Sequence, residues 1–130
     1  MPTITVEDDD VLYRRLAPSH VRHKDGTVNS TAYKFDGKPD QHISVELATM
    51  TTAEECAARS GRPGFGTGIL KAREVRALGF TITHDGEGTP SHAVIEPASG
   101  ENTADLCSQL ADITAIAIMP DMPNQGKKAR

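Results

Sequence analysis

The amino-acid sequence predicts an α+β domain, a mainly antiparallel sheet of five to six strands with about three helices. Three observations lead there. Strand-forming runs follow one another at hairpin-length spacing, which favours antiparallel pairing. The apolar period changes between these runs from alternation to helical spacing. The 130 residues suffice for one domain and not for two.

Each element has its own grounds. Ile4 and Val6 allow a short first strand, and Glu7 to Asp10 is a solvated acidic run. Val11 to Leu16, VLYRRL, is strand-forming and breaks at Pro18. In a strand Leu12, Arg14 and Leu16 share one face and Val11, Tyr13 and Arg15 the other. Arg14 thus lies among leucines and needs a partner, for which Glu46 and Glu96 are the intramolecular candidates. Thr31 to Phe35 is expected as a second strand, and Asp36-Gly37-Lys38-Pro39 as a turn. Ile43 to Leu47 alternates cleanly, with Ile43, Val45 and Leu47 inward and Ser44 and Glu46 outward.

Thr52-Ala53-Glu54-Glu55 is a capping box, so a short helix runs from there to about Arg59 and stops near Gly61. Gly61 to Gly68, GRPGFGTG, is a loop by composition. Lys71 to Leu78 reads as a second helix. Gly79 suits the left-handed position after its cap, and Phe80 reaches back to Val75. Phe80–Thr83 and Ala93–Glu96 are strands around a glycine-rich connection. Asn102 to about Thr114 is a third helix, with Leu106, Leu110 and Ile113 on one stripe. Ala115 to Met119 is a short edge strand. Residues 1–119 are read as the single domain and 120–130 as a disordered, Pro-rich basic tail.

Composition limits the function classes. The formal net charge is −4, the wrong sign for a non-specific nucleic-acid binder, whose affinity comes from neutralising phosphates. YRRLAPSHVRHK, residues 13–24, is the one locally basic stretch, and aromatic stacking partners are scarce: three Phe, two Tyr and no Trp in the chain. No apolar run approaches membrane-spanning length, and the N-terminus has neither a basic nor an apolar leader region. Cys56 and Cys107 fall in helical segments without paired spacing, the pattern of reduced thiols in a cytoplasmic protein.

The candidate chemistry centres on HDGEGTPSH, residues 84–92. If the flanking strands pair so that His84 faces His92, two imidazoles and Asp85 meet at a sheet end, where a base and its orienting acid could sit. Arg14 and Glu96 complete the set. The catalytic candidates are therefore Arg14, His84, Asp85, His92 and Glu96. The competing expectation is a plain hairpin loop, since its glycines and Pro90 supply turn geometry by themselves. No metal is expected, because neither HExxH nor CxxC is present, and no cofactor motif appears. GRPGFGTG lacks the Gly-Lys-Ser/Thr of a phosphate loop, leaving Arg62 and the backbone amides as its anion-binding option.

The combination LYRR, STAY, ISVELA, VRALGF followed by HD, and SHAVIE resembles a family of small, uncharacterised bacterial proteins, over about Leu12 to Glu96. That resemblance implies no activity and no catalytic residue. A fainter similarity is to ADP-ribosyltransferase-like folds, onto whose order Arg14, Ser30, Thr31 and Glu96 can be laid. The Glu-x-Glu or Gln-x-Glu of those folds is missing here.

The leading expectation is a small cytoplasmic bacterial interaction module, acting with another protein, in a multi-gene conflict or defence system. The alternative is a small enzyme, ADP-ribosyltransferase-like or hydrolytic, using the His/Arg/Glu cluster. A nucleic-acid-binding module stands third.

Overall fold

The structure, a computed structural model, describes residues 4–122. In chain order its elements are β1 (Val11–Leu16), β2 (Val21–Arg22), β3 (Thr27–Val28), β4 (Lys34–Phe35), β5 (Lys38–Pro39), β6 (Ile43–Leu47), α1 (Ala53–Ala58), β7 (Gly66–Lys71), α2 (Ala72–Ala77), β8 (Phe80–His84), β9 (His92–Pro97), α3 (Ala104–Asp112) and β10 (Ala115–Ile118). Six strands form one sheet in the order β10-β7-β1-β6-β9-β8, and β2–β3 and β4–β5 are separate two-stranded ladders. Every pairing is antiparallel. The fold is α+β, as the sequence predicts.

Alternation along the strands gives the sheet two unlike faces. One carries Leu12, Leu16, Ile43, Val45, Leu47, Leu70, Ala93 and Ile95, all buried. Helices α2 and α3 close this face with Ala72, Val75, Cys107 and Leu110, forming the main core. The opposite face carries Tyr13, Arg15, Ser44, Glu46, His92, Val94 and Glu96. Helix α1 packs there over β1 and β7, and β6 and β9 are left open beside it.

Local chemistry sets the ends of the elements. Thr52 Oγ1 accepts from Glu55 N–H at 3.1 Å, and Glu55 Oε1 accepts from Thr52 N–H at 3.2 Å, closing the capping box on α1. Gly79 has φ +96°, and its N–H reaches Arg76 O at 2.9 Å, which ends α2 as the sequence predicts. Asp36 and Gly37 both take positive φ, +53° and +78°, the geometry of a tight hairpin turn between β4 and β5.

Four expectations are corrected. Ile4–Val6 is irregular, not a strand. Ser30–Tyr33 is a 3-10 turn, with only Lys34–Phe35 extended. The turn buries the consecutive residues Ala32 and Tyr33, which strand alternation does not allow, and lets Tyr33 Oη meet Thr114 Oγ1 at 2.7 Å. The glycine-rich loop ends earlier than its composition suggests, because Gly66–Lys71 is a full strand between β1 and β10. A Cβ on Gly66 would lie 2.1 Å from Ile118 O, so glycine here permits close approach of β10 and is no loop signal. Helix α3 is shorter than expected, Ala104–Asp112, with Thr103 as its cap.

Pro120 is buried, and Asp121 N–H donates to Gly64 O at 2.8 Å. The rest of the expected tail, residues 123–130, lies outside the described residues.

Candidate active site

The HDGEGTPSH stretch is a hairpin connection between β8 and β9. The ladder pairs His84 with Ala93, not with His92. His92 O accepts both Asp85 N–H (3.3 Å) and Gly86 N–H (3.0 Å), and Gly86 at φ +62° bends the chain back. This offsets the expected register by one residue, and one residue of slip moves a side chain to the other face. The two imidazoles therefore point away from each other, correcting the expectation that they converge.

His84 faces the core and is buried. Its Nδ1 accepts Ile4 N–H at 3.0 Å, and its Nε2 lies 2.7 Å from Pro90 O, so Nε2 carries the proton. Both nitrogens are spent on backbone groups, tying the irregular N-terminal segment and the loop to the sheet.

His92 faces the open side. Its Nδ1 lies 2.5 Å from Asp85 Oδ1, and its Nε2 lies 3.1 Å from Ser44 Oγ. With Nδ1 protonated to donate to Asp85, Nε2 is left to accept the Ser44 hydroxyl proton. Burial of Asp85 works against its charge, but the bonds from His92 and from Glu87 N–H outweigh it and hold this carboxyl below its usual range. Ser44 sits on a central strand, held on one side by β9 through its pairing with Val94.

The other sequence candidates divide between the faces. Arg14 has no carboxylate partner among the described residues. Its Nε and Nη2 donate to Ala32 O at 3.0 and 2.7 Å, its Nη1 donates to Ser44 O at 2.7 Å, and the guanidinium lies 5.5 Å from the Tyr33 ring centre. It fills the place where β1 and β6 part, their pairing ending at Tyr13 and Glu46. Glu96 is on the open face with Asp85 and His92, paired to His42 Nδ1 at 2.6 Å. Thus Asp85, His92 and Glu96 share a cavity, while His84 belongs to the packed face and Arg14, rooted on that face, reaches the wall of another cavity that His92 also lines. Ser30 and Thr31, on their 3-10 turn, do not join Glu96 in one cavity.

Glu46 was expected to point outward, and it does, but it is 3% exposed beneath α1. Arg59 reaches its Oε1 from Nε (2.9 Å) and Nη2 (2.6 Å), Ser91 Oγ donates to the same oxygen (2.9 Å), and Arg15 Nη2 lies 3.5 Å from Oε2. Burial penalises the Glu46 charge, and Arg59 and Ser91 more than compensate, so it stays ionised below the ordinary glutamate range. Thr51 Oγ1 also bonds Arg59.

Two cavities meet at the relay. One, of about 540 Å³, is lined by Tyr13, Arg14, Arg15, His20, Lys34, Phe35, Phe65, Glu46 and Cys56, together with Ser44 and His92. The other, of about 700 Å³, is lined by His42, Asp85, Glu87 and Glu96, again with Ser44 and His92. Burial and the neighbouring Glu46 push the Cys56 thiol up to about 11, so it is no nucleophile near neutral pH. Burial, and then Arg14, pull His20 down to about 4, and its Nδ1 accepts Ala17 N–H at 3.0 Å as a neutral ring must.

Sequence reasoning missed Ser44, Glu46, Arg15 and Arg59 as site residues. The outward position of Ser44 in ISVEL was the available signal, but only the β6–β9 register puts it beside His92. Among the described residues no group of three or more His, Cys, Asp or Glu side chains is arranged to hold a metal ion, and no helix is long and apolar enough to cross a membrane. No protein-family model, curated protein or solved structure matches the chain, so its function is read from this geometry alone.

Proposed function

We propose that the protein is a small hydrolase acting by acyl transfer, with Ser44 as nucleophile, His92 as general base and then acid, and Asp85 as the group that orients His92. One observation carries this: the continuous hydrogen-bonded chain Asp85–His92–Ser44, open to a cavity on either side. A serine, a histidine and a carboxylate hydrogen-bonded in this order are recognised by their geometry and roles, not by fold or sequence position. Ser44 Oγ attacks the carbonyl carbon of a bound ester or amide as its proton passes to His92 Nε2. The same proton then goes to the leaving oxygen or nitrogen, giving an acyl ester on Ser44, and water repeats the sequence to release the acid. The Arg15 side chain, partly exposed on the same cavity wall, is a cation available to the charge that develops on the carbonyl oxygen.

The test is covalent labelling of the folded protein with a fluorophosphonate probe, mapped by peptide mass spectrometry. The expected result is one adduct on Ser44, absent from Ser44→Ala and from His92→Ala. An unlabelled Ser44 in a protein that melts cooperatively contradicts the proposal.

A second reading, a protein-interaction module, is supported by Phe35, which is 71% exposed at the tip of the β4–β5 hairpin on the rim of the first cavity. It expects no labelling and a partner whose binding is lost in Phe35→Ala.

A further inference from the structure

The two cavities that share Ser44 and His92 are opposite in charge. The first brings Arg14, Arg15 and Lys34 to its walls against Asp36 and Glu46, and Glu46 is already engaged by Arg59 from outside the cavity. The second brings Asp85, Glu87 and Glu96, with no lysine or arginine in its lining among the described residues. The first also carries the aromatic rings of Tyr13, Phe35 and Phe65, and the second carries none. The basic side has donor capacity left over: Arg15 Nε is buried with no hydrogen-bond partner among the described residues. Glu46 Oε2 is likewise unbonded among the described residues, 3.5 Å from Arg15 Nη2, so this ion pair is loosely closed.

From this arrangement we infer the substrate class: an ester or amide whose cleavable bond joins an anionic part, seated by Arg15 and Lys34, to a cationic part, seated by Glu87 and Glu96. This rests on the hydrolase reading of Ser44 and His92 and adds the substrate to it. Clefts of one sign attract and hold groups of the other, and like charges placed in them are repelled, so the wrong polarity is rejected as strongly as the right one is accepted. A bond lying over Ser44 with its flanks in the two cavities has only one favourable direction across the sheet. That direction also decides from which cavity the leaving group departs.

The experiment uses fluorogenic esters of one scaffold, carrying a carboxylate and an ammonium on opposite sides of the ester in both polarities, with doubly anionic, doubly cationic and neutral controls. One split-charge ester is expected to exceed every control in kcat/KM by about tenfold or more at low salt, and the advantage shrinks as salt rises. In the double variant Lys34→Glu with Glu87→Lys, the preferred polarity reverses. Failure of both split-charge esters to exceed the neutral one, while Ser44 still takes the fluorophosphonate label, overturns the substrate assignment and leaves the hydrolase reading standing. Failure of the label itself removes both.

Discussion

The two faces of the sheet are made from alternate residues of the same strands, yet they do different work. The face under α2 and α3 is apolar, and its polar exceptions, Arg14 and His84, spend their donors and acceptors on backbone groups. The open face is polar, and its charged residues meet one another: Arg59 and Arg15 with Glu46, His42 with Glu96, and Asp85 with His92 and then Ser44. A side chain whose partners are all backbone holds structure. A side chain whose hydrogen bond ends on an exposed hydroxyl beside a cavity has chemistry available to it. The histidines at the two ends of one hairpin thus separate by a single step of register.

Stability should divide the same way. The largest effects come from residues buried at the centre of each face. Leu12→Ala empties space in the packed core and should cost about 3 kcal/mol at any pH where the protein folds. Glu46→Ala leaves Arg15 and Arg59 without their buried carboxylate and should cost about 3 kcal/mol at neutral pH. The two losses separate on acidification. The Glu46 pKa in the fold lies below its ordinary 4.5, so its contribution is complete above pH 4.5 and disappears as pH falls through the folded value. Urea unfolding at neutral and acid pH checks this: the Glu46→Ala penalty shrinks in acid and the Leu12→Ala penalty does not.

A smaller effect appears at a higher pH. His20 has a folded pKa of about 4 against an ordinary 6.5, so the fold favours its neutral form. Its contribution is complete above pH 6.5, falls as pH drops from 6.5 to 4, and levels off below. With allowance for its partial exposure, the loss is on the order of 1–2 kcal/mol. Melting temperature against pH should show this slope in the native protein and lose it in His20→Asn, which keeps an acceptor for Ala17 N–H without titrating. The smallest effect belongs to Gly79. A Cβ there meets nothing within 4 Å, so Gly79→Ala pays only for φ +96°, about 1 kcal/mol in chemical denaturation.

Much of the packed face was legible in the sequence, and of the open face little beyond the cap of α1. Alternation in ISVEL, the Thr52/Glu55 box and the Gly79 stop are local signals, and each sets an element where the structure has it. Gly66 and Gly68 misled, because glycine marks both a loop and a close backbone approach, and only the position of β10 tells them apart. The site was half legible. His84, Asp85 and His92 stood out together within one loop, and of these only Asp85 and His92 meet. Ser44 and Glu46 join them through strand pairing across more than forty positions of sequence, and neither composition nor periodicity carries register. Arg14 was singled out as a buried cation needing a partner, and its partners proved to be carbonyl oxygens of Ala32 and Ser44, groups present at every position and therefore invisible to a search for acids.

The most direct test is the pair His84→Ala and His92→Ala, each measured for thermal unfolding and for Ser44 labelling rate. His84→Ala leaves Ile4 N–H and Pro90 O without their partner and should destabilise by about 1–3 kcal/mol, while Ser44 still labels below the melting transition. His92→Ala should melt within about 1 kcal/mol of the native protein, since its ring bonds lie on the open face where water can replace them, and its labelling rate should fall by about a thousandfold. The division of work between the faces is contradicted if the two variants lose labelling alike, or if His92→Ala labels at the native rate.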